Sequence, residues 1–417
     1  AAPNNYASWT FRKQAKFFDI QTFTTGSPAN ATFTHNLGTT PACVIIKCVA
    51  SPETWYVYHT SLGTSNWLAL NTTAASSSLP NWITVSSTSV SVSSSQLAYT
   101  NTQYVAYLFA HNAGGFGLTG TDNVISCGSF TNNNYVNLGY EPQWVILKRT
   151  DSTSNWFMHD SMRGFPASPA SNSAMLRANT SDAEAASTWA WPDATGFTPN
   201  VGGAGTWIYI AIRRGPMQVP TSGTSVFQPT AWSGTSALQN VTGPSLPPDF
   251  AISTSRSTVG TYQPLLGDRL RGAVDLATSS TASEATIAGN DYTTWGQNTI
   301  TMSNADYLNI TGRTYVSWIF SRAPSFSDVV CYTGDGTSSQ SMNHNLGVVP
   351  ELMIIKGRTN AANWAVYSAS TGNTQYLNLN NNIAASTSSV WWNNTSPTST
   401  LFTVGSQNAV NQSGFTY

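Results

Sequence analysis

Short apolar or alternating runs, separated by turn residues, extend along the whole chain. Cys43–Val49 is an almost continuous apolar run, typical of a central strand that is covered on both faces. Ser89–Ser93 alternates between serine and valine, as a strand with one buried face does. Roughly seven or eight such runs occur per hundred residues, with turn signals between them. The pattern predicts an all-β chain of antiparallel sandwiches of the jelly-roll or lectin-like kind.

The same pattern is written four times. HNLGTTPACVIIK at His35–Lys47 returns as HNLGVVPELMIIK at His344–Lys356, and weaker copies are NLGYEPQWVILKR at 137–149 and LPPDFAISTSR at 246–256. An aromatic residue follows each copy at a similar distance: Trp55, Trp156, Tyr262 and Trp364. A repeat of about a hundred residues is the size of a common small domain. We therefore expect four tandem β-sandwich repeats.

An aromatic strand such as YVAYLFA at 104–110 closes each unit and sets the domain boundaries. We expect a closing strand of a preceding repeat, Tyr6–Phe11, with a linker in residues 1–15, and sandwich repeats at 16–112, 113–217, 218–323 and 324–417. Short joints containing proline or glycine connect most of them, which predicts a semi-rigid row. The last repeat stops at Tyr417, where its closing strand begins. Truncation of a longer protein and strand donation between subunits both fit this pattern.

Composition narrows the classes of function. Only 8% of residues are charged and the net charge is −1, so nothing indicates nucleic-acid binding. Ser, Thr, Asn and Gly replace the charges, which predicts a surface of hydroxyls and amides. The sequence contains no apolar run long enough to span a membrane, so we expect no membrane insertion. The four cysteines are predicted to be buried free thiols, as in a protein folded in a reducing cytoplasm: Cys43, Cys48, Cys127 and Cys331.

Repeats two and three share a charged signature. DSMRG contains Asp160 and Arg163, and DRLRG contains Asp268 and Arg271; each is followed by a glutamate, Glu184 or Glu284. In a chain this poor in charge, we interpret both Asp–Arg pairs as structural ion pairs that fix a turn. An acid/base constellation is the alternative. Because repeats one and four offer almost no carboxylates, a hydrolytic site common to all repeats is excluded, while one private to repeat two or three stays open.

The remaining candidates are histidines and tryptophans. His35 and His344 match each other but have no second ligand beside them, so we interpret them as turn histidines. No catalytic, metal-binding or cofactor-binding motif is found, and we expect no enzyme activity, metal or cofactor. Trp391 and Trp392 are adjacent, so on a strand one of them would point outward and stack on a sugar ring. The alternative is that both pack inside the protein or between units.

Several of these motifs together resemble repeats of tail-fibre-like and other virion structural proteins of tailed bacteriophages, especially marine ones. They include HNLGVVPELMIIK, NWAVY, YVAYLFA, IAIRRGPMQVPTSGTSVF and DRLRG, and the resemblance covers essentially the whole chain. The third copy departs most, because GPSLPPD replaces HNLG there. The resemblance implies a non-enzymatic protein on the virion surface, assembled in the host cytoplasm and used in host attachment. Its implied partners are host-surface glycan or protein, other virion proteins and further copies in a homotrimer.

Two other functions remain open at the level of sequence. A bacterial surface adhesin or filament subunit would show a secretion signal upstream. A polysaccharide depolymerase would release reducing ends from host glycan, and would lose that activity on Glu184→Gln or Glu284→Gln.

Overall fold

The computed structural model describes residues 6–117, 119–165, 174–215, 218–242, 244–257, 262–284, 291–303 and 307–417. It confirms four antiparallel β-sandwiches, here called S1 to S4 in chain order. Each sandwich packs a larger sheet against a smaller one around its own apolar residues.

The strands of the first two sandwiches are short, and turns or loops connect each strand to the next one along the chain. In S1 they are β1 Phe18–Thr24, β2 Ala31–Thr34, β3 Cys43–Cys48, β4 Tyr56–His59, β5 Asn66–Ala69, β6 Ser77–Ser78, β7 Ile83–Val85, β8 Ser89–Val92 and β9 Gln103–Phe109. In S2 they are β10 Ile125–Thr131, β11 Val136–Asn137, β12 Pro142–Arg149, β13 Trp156–Asp160, β14 Ala174–Arg177, β15 Ala185–Ala186, β16 Ala190–Pro192, β17 Gly196–Pro199 and β18 Thr206–Arg213.

The last two sandwiches are also built from short strands joined by turns or loops. In S3 the strands are β19 Phe227–Ser233, β20 Gln239–Thr242, β21 Phe250–Ser255, β22 Leu265–Asp268, β23 Leu276–Ala277, β24 Tyr292–Trp295, β25 Thr299–Met302 and β26 Thr314–Phe320. In S4 they are β27 Gln340–Asn343, β28 Leu352–Ile355, β29 Ala365–Ser368, β30 Gln375–Asn378, β31 Ser386–Thr387 and β32 Leu401–Val404. Short helices are the 3₁₀ turns Thr60–Leu62 and Gly223–Ser225, with α1 Ser389–Trp392 and α2 Asn408–Asn411 in S4.

In the first three sandwiches, the closing strand is the second strand of the large sheet, next to the edge strand. The strand orders begin β1-β9-β3, β10-β18-β12 and β19-β26-β21. In S1, for example, Tyr107 of β9 lies between Ile20 of β1 and Ile45 of β3. The closing strand therefore joins the first strand of its unit to the central apolar strand, which explains why each unit ends on that aromatic pattern.

The near-continuous apolar runs are covered on both faces, as predicted. Val44 and Ile46 of β3 point into S1, whereas Cys43 and Ile45 point toward the large sheet of S2. That sheet contributes Ile146, Ile208 and Ile210, which form one continuous core with the buried residues of S1, while the interior of S2 forms a core of its own. S1 and S2 are thus stacked through their large sheets, and S3 and S4 also make direct contacts with each other. The four sandwiches form two pairs.

The four cysteines are free and buried, which confirms the prediction. Burial raises the pKa of the Cys43 and Cys127 thiols well above the ordinary value. Neutral thiols in an apolar interior behave as small hydrophobic side chains and are chemically inert.

Tyr6–Phe11, predicted as a closing strand, forms no strand in the structure. Within the described ranges, no sheet edge pairs with Ala7–Phe11, and this segment lies against the S1–S2 pair instead. The Trp9 Nε1–H donates to Asp160 at 3.0 Å, and Arg163 lies over the indole ring. Phe11 packs edge-on against Trp144.

Candidate functional site

A tryptophan and a lysine of S2 fasten it to S1, and we call this set of contacts the clamp. Trp156 Nε1 donates to the carbonyl oxygen of Ala69 at 2.9 Å, and Lys148 Nζ donates to that of Thr73 at 3.0 Å. The backbone N–H of Ser154 also donates to Thr73. Burial lowers the pKa of Lys148 to about 8. Lys148 follows the apolar run of the repeat motif, and its ammonium group helps to hold S2 against S1.

The second pair has the same clamp. Trp364 Nε1 donates to the carbonyl oxygen of Ala277 at 3.0 Å, and Lys356 Nζ donates to that of Thr281 at 3.2 Å. Trp156 and Trp364 are as far apart in sequence as Ala69 and Ala277. The structural repeat is therefore a pair of sandwiches, and S4 stands to S3 as S2 stands to S1.

The predicted ion pair of the second repeat is present and fixes a turn. Asp160 and Arg163 are 2.6 Å apart, and Asp160 Oδ1 accepts hydrogen bonds from the backbone N–H groups of Met162 and Arg163. Arg163 also lies 2.9 Å from Glu184, whose side chain is 47% exposed. Glu184 is therefore a solvent-screened partner at the edge of this turn.

The equivalent set in the third repeat is buried and joins two sandwiches. Arg271 pairs with Asp268 and lies 3.1 Å from Glu284, which lies 2.8 Å from Arg358 of S4. Burial alone would raise the pKa of Glu284, but Arg271 and Arg358 outweigh it and the pKa is lowered. A carboxylate held ionised between two guanidinium groups cannot serve as the protonated acid of glycoside hydrolysis. The arrangement suits attachment of S3 to S4.

Trp391 and Trp392 are not the exposed sugar platform that the sequence suggested. They lie on the short helix α1 instead of a strand, and they are 5% and 0% exposed. Trp391 stacks on Tyr376, and Trp392 Nε1 donates to the carbonyl oxygen of Gln375. Because one helical turn brings both indoles toward the S4 core, neither has a face free for a ligand. The alternative reading, that both pack, is the correct one.

The matching histidines occupy turns, as predicted. The Nδ1 atom of His35 accepts a hydrogen bond from the backbone N–H of Leu37, and the Nδ1 atom of His344 accepts one from that of Leu346. His59 has a role that the sequence did not indicate. Its Nε2 lies 3.1 Å from the carbonyl oxygen of Tyr209 in S2, so it joins the first pair.

A second network, not predicted from the sequence, joins the two pairs. Arg322 at the end of S3 contacts both carboxylate oxygens of Glu141 in S2 and lies 2.9 Å from Asp328 of S4. Its backbone N–H donates to Asp249 at 2.7 Å. The sequence feature that could have indicated this network is the presence of arginines in the joints between repeats. IRRGP contains Arg214, and SRAPS contains Arg322. In a chain with few charged residues, Arg322, Glu141 and Asp328 therefore connect three sandwiches.

A polar cleft of about 600 Å³ opens beside this network. Both pairs contribute to its walls, in which apolar surface from residues such as Ala194 and Pro324 is mixed with amide, hydroxyl and charged groups that include Asn137, Thr195, Arg213, Arg214, Asn343 and Asn345. The buried Nε of Arg214 makes no hydrogen bond to any described residue and lies 3.5 Å from Glu141. Such a cleft has the size of a small-ligand site and the hydrogen-bonding groups that a hydroxyl-rich molecule needs.

No group of three His, Cys, Asp or Glu side chains within the described ranges is arranged to hold a metal ion. In the same part of the chain, no helix has the length and apolar character needed to cross a membrane.

Comparison with known proteins gives one match. A family model described as a domain of unknown function, DUF7483, matches residues 7–212 and again residues 222–417. The chain belongs to this family. Each match spans one clamped pair, so the family unit coincides with the structural unit. No curated protein and no solved structure matches the chain.

Proposed function

We propose that the chain is a non-enzymatic structural protein of a bacteriophage virion, a tail fibre or other appendage that presents clamped sandwich pairs for host attachment. One observation carries the non-enzymatic part. The acidic residues that the sequence offered for chemistry, Glu184 and Glu284, each contact arginine, and Glu284 is fixed between two of them. The motif resemblance supports the assignment to a virion.

The polar cleft between the pairs is the proposed contact for surface glycan. Asn343 is exposed on its wall, and the neighbouring Asn345 and Thr195 add further amide and hydroxyl groups. Neutral sugars are bound by such groups when the donors and acceptors are already positioned.

A panel of bacterial surface polysaccharides tests the proposal. We expect the chain to bind one or more of them without releasing reducing ends. Asn343→Ala should weaken that binding, whereas Asn382→Ala, at an exposed position in a loop of S4, should not. Reducing ends that disappear with Glu184→Gln or Glu284→Gln would show a depolymerase and overturn the non-enzymatic assignment. Absence of binding to every glycan would leave a spacer and reject the cleft as a contact.

Immunogold labelling of purified particles tests the virion assignment separately. Gold on a fibre or other projecting part of the particle is the expected result. Labelling of bacterial cells that carry no phage would identify an adhesin or filament subunit instead.

A further inference from the structure

A second cleft, of about 300 Å³, adjoins the polar cleft between the two pairs. Ala194, Thr195 and Asn343 line both clefts, so the two are parts of one groove. We call the second part the aromatic end, because Trp191 of S2 forms one of its walls. Each part alone has the volume of a small-ligand site, and the whole groove can therefore hold a ligand longer than a single sugar unit.

The outer faces of two small sheets form the walls of the aromatic end. Trp191 of β16 and Thr198 of β17 are cross-strand neighbours on the S2 side. Ser341 and Asn343 of β27 are exposed on the S4 side, whereas Met342 between them is buried in the S4 core. An indole ring and several hydroxyl and amide groups therefore line the same part of the groove.

The position of Trp191 does not require a tryptophan for folding. The hairpins β7–β8, β16–β17 and β24–β25 are equivalent, and their middle cross-strand pairs contain Thr84 in S1, Trp191 in S2 and Thr294 in S3. Both threonines are exposed, and threonine suits such a strand position. Among these three hairpins, an aromatic residue is present at this position only where the strand faces S4 across the groove.

Hydrogen bonds hold the polar groups of the aromatic end in place. On the S2 side, Asp193 accepts a hydrogen bond from the backbone N–H of Thr195 at 2.8 Å and one from the hydroxyl of Tyr135 at 2.7 Å. On the S4 side, Gln340 Nε2 donates to the carbonyl oxygen of Thr333 at 2.9 Å. Groups that are fixed before a ligand binds lose little conformational freedom on binding, which favours affinity.

The composition of these walls indicates the class of ligand. A sugar ring has an apolar face of C–H groups, which packs on an aromatic ring, and a rim of hydroxyls, which bonds to amides and hydroxyls. Among the described residues that line the aromatic end, Asp193 alone is charged, so an anionic ligand would meet no opposite charge there. The walls therefore fit a neutral sugar.

We propose that the groove binds a linear, neutral oligosaccharide that extends from the polar cleft to the aromatic end, where one sugar ring stacks on Trp191. Asn343 lines both parts and contacts the middle of the bound segment. This assignment rests on the proposed function, because it gives the form of the glycan and adds a second contact to the same site.

Size-graded fragments of the polysaccharide that binds most tightly in the panel test the proposal on the full chain. The fragments are made by partial acid hydrolysis, and titration calorimetry gives each dissociation constant. Trp191→Thr should weaken binding of the longest fragments at least about tenfold and leave that of the disaccharide unchanged. It should not affect folding, because threonine is the native residue at the equivalent positions of S1 and S3. Trp191→Phe keeps an aromatic face and should retain most of the affinity.

Moving the indole is the matched control. Thr84→Trp, made in the Trp191→Thr variant, places a tryptophan at the equivalent exposed position of S1, which lines neither part of the groove. It should not restore binding. Hydroxyl-radical footprinting followed by mass spectrometry locates the contact, since long fragments should protect Trp191 from oxidation and the disaccharide should not.

The possible failures are distinguishable. Unchanged affinity of Trp191→Thr for long fragments, with Asn343→Ala still weakening binding, would overturn the aromatic end as a contact and leave the polar cleft as the glycan site. A loss that is equal for the disaccharide and the longest fragments would overturn the extended form of the ligand. Absence of binding to every polysaccharide would reject glycan binding at the polar cleft and at the aromatic end together.

Discussion

The two pairs use the same backbone contacts but different side-chain chemistry. In the first pair, the N–H of Ser76 donates to the carbonyl oxygen of Thr150; in the second, that of Glu284 donates to Arg358 in the same way. The first interface is a continuous apolar core, whereas the apolar cores of S3 and S4 are separate. A buried ionic network therefore does in the second pair part of what apolar packing does in the first.

The largest expected effect comes from removing the bridging carboxylate of the second pair. Glu284→Ala leaves Arg271 and Arg358 buried without the carboxylate that they share. Breaking a buried ion pair typically costs about 3–5 kcal/mol. We expect a loss of that size in the free energy of unfolding, measured by urea denaturation.

Glu184→Ala is the matched control for that experiment. Glu184 occupies the same place in the charged signature of the second repeat, but it is about half exposed. Its removal should cost less than about 1 kcal/mol. Equal losses for the two variants would contradict the view that burial, and not the sequence motif, determines the energy.

Acid should weaken the first pair at a higher pH than the second. Burial lowers the pKa of His59 from 6.5 to about 4, although the Tyr209 carbonyl opposes this shift. The folded state therefore favours the neutral form of His59. The stabilisation of the folded state by neutral His59 is fully present above pH about 6.5 and is lost as the pH falls toward 4. The free energy of unfolding should fall by about 3 kcal/mol over this range. The pKa of Glu284 is lowered, so its contribution is lost only below the ordinary glutamate pKa.

Unfolding by urea at steps from pH 7 to pH 4 measures this difference. His59→Gln should reduce the loss of stability in this range, because glutamine has no proton to gain, while His159 of S2, whose pKa burial also lowers to about 4, keeps its own share of the loss. An unchanged pH profile in the His59→Gln variant would exclude His59 as the cause.

The clamp tryptophan should give the smallest of the effects. Trp156→Phe retains most of the ring but removes the donor to Ala69, whose carbonyl oxygen keeps only the 3.5 Å hydrogen bond from the backbone N–H of Thr72. We expect the loss of the indole hydrogen bond to cost about 1 kcal/mol. The control is Trp55→Phe, at the same position in S1, where the ring is half-buried. We expect a change within about 0.5 kcal/mol there.

Much of the fold could be predicted from the sequence because its signals are local. The apolar run of β3, the turn histidines and the Asp160–Arg163 pair all depend on residues that are close together in the chain. The sandwich count follows from the repeats. The placement of Trp391 could not be predicted, because an adjacent pair of tryptophans does not show whether the backbone is a strand or a helical turn.

The pairing of sandwiches was also hidden from the sequence. The strongest sequence match joins the first and fourth repeats, whereas the structural equivalence joins S2 with S4 through Trp156 and Trp364. The contacts of Lys148 and Arg322 connect residues far apart in the chain. Only the arrangement of the sandwiches reveals them.

Native-state hydrogen exchange tests most directly the claim that a clamped pair is the structural unit. Exchange in increasing urea, followed by mass spectrometry, reports the opening of β1–β9 in S1 and of β10–β18 in S2. The two sandwiches should open together, and Trp156→Phe should lower the urea concentration at which each of them opens by the same amount. Opening of S2 while S1 remains fully protected would contradict the account.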